Sequence, residues 1–464
     1  MSGRDLTQGP VGWALFRMSA PMTVGIMAVI SVGVADAYFL GLYGPTELAA
    51  VGFIYPITIA VLSLSIGLSA GLNTVVSQAI GRGDQEFAMR AAAHGLGFAI
   101  LLGIIVAILL IIAGDAIFSL MGAQGDTKRA VLDYTFYWAL SFPALVLMMA
   151  ANSIVRAKGS SVVPAGLMVA VAIFNIVINP MFIFGTGSIP EMGAGGAGLA
   201  TALARIVGSV AAIIYVLSLG FLKPACLTLD SLEKTIGRIA KVGGPAALSN
   251  SINPAGMAII TGFVASFGDA AVAGFGAATR IEAVIMVPML ALSSGIGPVI
   301  GQSWGAEKRD RAEQATQLAF MACIAYGLIA GAILLVFAEP IAGLIAKGDE
   351  PIRHAALYLQ IVGFGLFGYG VLVVGNAANN ARDKAVFSLG TSVSRIALVY
   401  IPAALLGQLL LGYFGIVIAA LVANLVGAYF AVIACRSTGL LRHQMPLPIE
   451  WPATLLTRPE RTAP

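Results

Sequence analysis

Twelve runs of apolar residues, most of them longer than twenty, follow one another from Trp13 to about Ala434 with short polar breaks between them. A helix rising about 1.5 Å per residue needs roughly 20 such residues to cross the hydrocarbon core of a bilayer. In lipid every backbone N–H and C=O must be satisfied within the segment, which leaves helices as the structure such runs can form. Composition agrees, because 59% of the residues are hydrophobic and only 10% are charged. Soluble domains carry about 25% charged residues, and this chain has too little polar surface to clothe a water-soluble globule. The 55 glycines and 21 prolines would break soluble helices, whereas membrane helices tolerate proline and use small residues for close packing. The expected fold is an all-α membrane protein.

The runs place spans near 13–42, 47–80, 87–113, 129–156, 161–185 and 196–218, then 240–266, 270–304, 311–337, 352–381, 385–410 and 413–435. An even number puts both termini on one side. With the N-terminus inside, 19 lysines and arginines fall in inside segments, four in outside loops and three within spans (Arg205, Arg280, Arg395). The positive-inside rule therefore orients both termini to the cytoplasm. The first span carries Arg17 and runs on without a small-residue cleavage site, so it is expected to stay in the mature chain. The cysteines (Cys226, Cys323, Cys435) and histidines (His94, His354, His443) are too scattered to suggest a disulfide framework or a metal cluster. No bound cofactor is expected. The net charge of +4 is spread over short loops and gives no nucleic-acid patch.

The chain also repeats itself at an offset of 224 residues. GLNTVVSQAIG at 71–81 answers GIGPVIGQSWG at 295–305, with Gln78 over Gln302, and Ala20-Pro21 answers Gly244-Pro245. Six spans per half is an even number, so the halves share one orientation and are related by an axis along the membrane normal. This divides the chain into an N-terminal six-helix bundle (1–220), a cytoplasmic linker (221–241), a C-terminal six-helix bundle (242–438) and a cytoplasmic tail (439–464). Two pseudo-symmetric bundles place a solute path at their interface, open alternately to either side.

Several motifs then carry a resemblance over nearly the whole chain. They include VADAYFLGLYGPTELAAVGF ending the first span, GLSAGLNTVVSQAIGRGD ending the second, NSIVRAKGSSVVP, FNIVINPMFIFG, GAGLATALARIVG, SSGIGPVIGQSWGAEKRDRA and NAANNARDKA. The sequence resembles the multidrug and toxic compound extrusion (MATE) family, in its bacterial DNA-damage-inducible and archaeal-like branch. That resemblance implies a cation-coupled antiporter, monomeric in the bacterial inner membrane, whose two bundles cup a central cavity. It would export small organic, often cationic, compounds. It also matches Asp36 to a first-helix aspartate that couples cation entry to bending of that helix, and Thr201 to a polar site residue. Where many relatives carry a second aspartate this chain has Asn179, which favours H⁺ over Na⁺ as the coupling ion. Where another branch places a Na⁺-binding glutamate it has Asn253.

Residue chemistry points the same way. A charge inside a bilayer is expensive and marks function. Asp36 lies eight residues before the turn at Gly44, and a carboxyl withdrawn from water can cycle between protonated and ionised forms. Pro21 offers a kink point earlier in the same span. Asn175 and Asn179, four apart, share a helix face, and with Asp36 they would make an oxygen cage suited to a hard cation. Alternatively Arg205, at similar depth, could hold Asp36 in a fixed ion pair. In the second half Arg280 and Glu282 point about 200° apart and cannot pair with each other, and Arg395 is a candidate partner for Glu282. Tyr134, Tyr137, Asn152, Asn253, Asn376 and Asn379 are candidates for the substrate cavity.

A membrane enzyme would need paired acids or histidines within a span, and none occur. A channel would want rings of charge, which two unlike halves do not supply. The nearer rival is a lipid-linked oligosaccharide flippase, for which a more cationic cavity is expected.

Overall fold

A computed structural model describes residues 5–221 and 231–442. Among them the regular structure is helical, apart from one isolated bridge between Thr186 and Ile189. The first half comprises α1 (Val11–Tyr43), α2 (Pro45–Gly81), α3 (Gln85–Leu120), α4 (Gly125–Leu140), α5 (Phe142–Ala157), α6 (Val162–Ile183) and α7 (Gly193–Ser218). The second comprises α8 (Leu232–Ala265), α9 (Asp269–Ile285), α10 (Val287–Gly305), α11 (Arg309–Ala342), α12 (Asp349–Gly363) and α13 (Leu366–Ala381). It continues with α14 (Ala385–Val393), a π-helical stretch (Ser394–Tyr400), α15 (Ile401–Leu411) and α16 (Tyr413–Ser437). Eight helices, counting α14 to α15 as one, are long and apolar enough to cross a bilayer. Three bent pairs make three more spans. The twelfth is α8, whose 34 residues carry Lys234, Arg238 and Lys241 in the opening turns.

The structure moves one boundary. Residues 232–241, assigned to the linker by composition, are the first turns of α8; residues 222–230 and 443–464, with Cys226, His443 and most of the tail, lie outside the described residues.

Three spans read as single helices are broken. The bends are 46° between α4 and α5, 43° between α9 and α10, and 60° between α12 and α13. Pro143 and Pro288 open α5 and α10, where a missing N–H costs nothing at a helix start but interrupts a ladder running through it. Ser141 and Gly365, at the first and third bends, are 224 residues apart, so the break belongs to the duplicated scaffold.

The halves meet through a reciprocal clasp. Gln78 Nε2 donates to the Ala381 carbonyl at 2.8 Å, and Gln302 Nε2 donates to the Ala157 carbonyl at 2.7 Å. A Cβ on Gly81 would lie 2.1 Å from the Gln302 carbonyl oxygen, and one on Gly305 would lie 2.1 Å from that of Gln78. Each pair is the other shifted by the repeat, as an axis passing between α2 and α10 requires. Leu15 of α1 sinks into the core of the second half, and its counterpart Ile239 of α8 sinks into that of the first. Small residues carry these contacts because they let backbones approach, the main source of helix association in lipid.

Residues 5–9 lie across the same end of the molecule. Leu6 is buried and its N–H donates to Gln302 Oε1 at 2.8 Å. The Arg311 guanidinium donates to the carbonyls of Leu6, Gln8 and Gly9, and Lys308 Nζ donates to that of Thr7. A cavity of about 340 Å³ lies beside this strap, lined by Asp5, Ile80, Gly81, Lys158 and Gln302 among others. It sits at the basic end of the clasp, away from the intramembrane charges.

Candidate functional site

In the first half, four buried polar groups converge from three spans. Asp36 of α1 is 9% exposed and accepts a hydrogen bond from Asn179 Nδ2 of α6. One turn earlier Asn175 Nδ2 donates to Thr201 Oγ1 of α7 at 3.3 Å. The i, i+4 spacing aims both amides at one place. Asn175 Oδ1 and Asn179 Oδ1 are buried and accept no hydrogen bond. Tyr134 of α4 is buried beside the cluster, within electrostatic reach of Asp36 and Arg205.

Arg205 is not the partner of Asp36. Its Nη1 donates to Ser141 Oγ at 2.9 Å, in the break between α4 and α5, and its guanidinium lies over the Trp138 ring at 5.6 Å. The two charges interact at a distance but form no ion pair. An amide that can donate or accept therefore stands where a fixed counter-charge could have been.

The second half builds another, partly buried constellation. Glu282 of α9 accepts a hydrogen bond from Tyr358 Oη of α12 at 2.8 Å. Arg395, in the π-helical stretch, is 6% exposed; Nη1 donates to Asn253 Oδ1 at 2.8 Å and Nη2 to Asn424 Oδ1 at 2.7 Å. Its guanidinium stacks over Tyr369 at 4.7 Å, and Tyr369 Oη accepts from Asn253 Nδ2. The expected Arg395–Glu282 pair is thus replaced by two separate settings, carbonyls for the cation and a hydroxyl for the anion. Helix-face arithmetic places each charge on a face, but packing between helices chose its neighbour. Insertion of a π turn shifts the azimuth of every later side chain, a device common at functional sites. Arg280 does point away from Glu282, is exposed, and makes no hydrogen bond or ion pair among the described residues.

The cavity candidates divide. Asn253 is held by Arg395 and remains partly exposed. Tyr137 is half-buried, edge-on to Phe136 and beside Gly195. Asn376 ties α13 to α14, donating to Ser392 Oγ and accepting from Thr391 Oγ1. Asn152 is buried within α5. Asn379 is fully buried, donating to the Gly375 carbonyl and accepting from Thr438 Oγ1, so it lines no cavity and joins α13 to the end of α16.

Sequence reasoning passed over Ser141, Tyr358, Tyr369 and Asn424. For Tyr358 a signal existed: it stands 224 residues after Tyr134, and both tyrosines lie near the intramembrane acid of their half. Among the described residues no cluster of three or more His, Cys, Asp or Glu could hold a metal ion.

Comparison with known proteins gives a consistent picture. The MatE family model matches residues 21–181 and again 245–406, one match per half. The chain is 31% identical over 421 residues to a protein of Shewanella oneidensis named FAD transporter, covering 90% of this chain and 93% of that one. A crystal structure of a mutant of the Vibrio cholerae MATE transporter VcmN superposes with a TM-score of 0.89 at 28% identity, covering 93% and 98% of the two chains. A multidrug resistance MATE transporter in an outward-facing conformation gives 0.87 at 25% identity, over 95% and 98%.

Proposed function

The chain belongs to the MatE family of transporters, and from that premise we propose that it is a proton-coupled exporter of small organic compounds, with Asp36 as the group whose charge drives the cycle. The observation that carries this reading is that Asp36 is buried, lacks an ion pair, and meets an amide.

An ionised carboxylate only accepts hydrogen bonds, and Asn179 Nδ2 supplies one; a protonated carboxyl must also donate. Asn175 Oδ1 and Asn179 Oδ1, both buried and without a donor, are acceptors suited to that second state. Either protonation state of the carboxyl can then find a hydrogen-bond partner by rotation of the amides. A charge-assisted bond of this kind contributes about 1.5–3 kcal/mol, enough to bias two arrangements of α1 against α6. Pro21 lies within α1 on the side toward the clasp and offers the point at which that helix can bend.

The clasp and the strap close the basic end, and the positive-inside rule makes that end cytoplasmic. In this reading the structure is the outward-open state, loaded with a proton from outside as substrate leaves, in the inner membrane of a bacterium and as a monomer. A second reading, Na⁺ in place of H⁺, draws on the same two amide oxygens beside Asp36, which suit a hard cation. The chain's likeness to a protein named FAD transporter widens the substrate range beyond cationic drugs.

Purified protein in vesicles tests the reading. An imposed pH gradient without Na⁺ should drive dye efflux, and Asp36→Asn should abolish it while the protein remains folded. Efflux that demands Na⁺ moves the assignment to the second reading. Resistance that survives Asp36→Asn removes Asp36 from the cycle.

A further inference from the structure

We infer that the second half presents a site for the anionic group of the substrate, a phosphate or carboxylate on an apolar or aromatic body, with Arg280 as the residue that receives it. This rests on the exporter reading and names its substrate class.

The argument starts from the position of Arg280. It lies eleven residues into α9, about 16 Å along the helix, close to the middle of the hydrocarbon layer. An unpaired guanidinium facing lipid there would be strongly disfavoured, so its exposed side chain needs water or a counter-charge. The face it occupies can be read from its neighbours. Gly274, Phe275 and Ala278 of α9 are buried, with Gly274 set against His354 and Ala355 of α12. Glu282 points the same inward way, to Tyr358. Arg280 stands on the opposite side. Ala273 and Val284, within about 40° of it on the same helix, are exposed as well, so that face packs against neither core. The span continues as α10, which meets the other half where Ala291 is buried against Met22 and Ala165. Thus α9 borders the space between the halves, and that space supplies the water a guanidinium at this depth needs.

The surrounding charges do not answer it. Glu282 is turned away and occupied by a hydroxyl. Asp36 belongs to the other half and is held by Asn179. Within the spans three arginines (Arg205, Arg280, Arg395) stand beside three acids (Asp36, Asp133, Glu282), and protonation of Asp36 leaves the arginines in excess. Arg395, nine-tenths buried behind Asn253, keeps Nε without a partner and adds its field to the same wall. Guanidinium is the group suited to bidentate recognition of phosphate and carboxylate. A lipophilic cation entering this space would meet repulsion from that wall.

The test uses two ligands differing in charge alone at one end: flavin mononucleotide, which bears a phosphate, and riboflavin, which does not. Binding is followed by quenching of flavin fluorescence with full-length protein in phosphatidylcholine nanodiscs. Arg280→Gln should weaken flavin mononucleotide binding about 10- to 100-fold, as expected for one charged hydrogen-bonded contact, and leave riboflavin unchanged. Arg280→Lys should recover part of the loss. Equal weakening of both flavins, or none, overturns the inference. Replacing part of the phosphatidylcholine by phosphatidylglycerol separates the sources of the anion. Competition lost in Arg280→Gln identifies a lipid headgroup as an occupant of the same recognition site, and its absence identifies the soluble anion. Vesicle efflux separates the two levels of argument: pH-driven export of tetraphenylphosphonium without flavin mononucleotide sinks the anion site alone, whereas export of neither sinks the exporter reading.

Discussion

The two halves share a scaffold and differ in chemistry. Tyr134 and Tyr358 occupy equivalent positions, the spans that carry them bend at equivalent residues, and Gln78 and Gln302 make the same bond in opposite directions. The acids break the pattern. Asp36 comes from the first span of its half and Glu282 from the second span of the other. Their partners differ in kind as well. Asn179 can donate or accept, so the first site can hold its acid in either protonation state. Tyr358 Oη donates to Glu282, and Arg395 is held by two asparagine carbonyls, an arrangement that suits fixed charges. Duplication kept what positions a buried group and let each half acquire its own charges. On the proposed reading, the first half switches and the second holds.

That contrast can be broken most directly by neutralising each acid. Asp36→Asn should reduce pH-driven efflux to the level of empty vesicles, while Glu282→Gln should leave the pH dependence of efflux intact; the reverse outcome exchanges the roles of the halves. Next in size is Asn179. Asn179→Ala removes a charged hydrogen bond and should slow efflux about tenfold or more, and Asn179→Asp, adding a second carboxylate beside Asp36, should confer stimulation by Na⁺ in the same vesicles. Smaller is the effect of the repeated tyrosine. Tyr358→Phe strips Glu282 of its donor and should cost about 1–3 kcal/mol of stability, read as a lowered thermal midpoint. Tyr134→Phe should lower that midpoint less, because Asp36 keeps Asn179. The smallest contrast lies in the clasp. Gln302→Ala loses two bonds, to Ala157 and Leu6, where Gln78→Ala loses one. It should therefore be the less stable variant by about 1 kcal/mol, with a cysteine introduced in the strap by Thr7→Cys labelled faster by aqueous thiol reagents.

Much of this architecture could be read directly from the amino-acid order. Lipid forces each span to satisfy its own backbone, so span number and type follow from local composition. Duplication leaves a linear offset that survives as Gln78 over Gln302. Asp36 announced itself because an acid amid apolar residues has few explanations. Partnership was another matter. Asn179 rather than Arg205 beside Asp36, Tyr358 rather than Arg395 beside Glu282, and Asn379 packed against α16 all depend on the rotation and tilt of whole helices. Those are set by packing against neighbouring spans, in which residues 59 to 143 positions apart meet. The breaks at Ser141 and Gly365 and the π turn at Arg395 change azimuths again. Periodicity along one helix determines which residues share a face, and only the assembled bundle determines what that face meets.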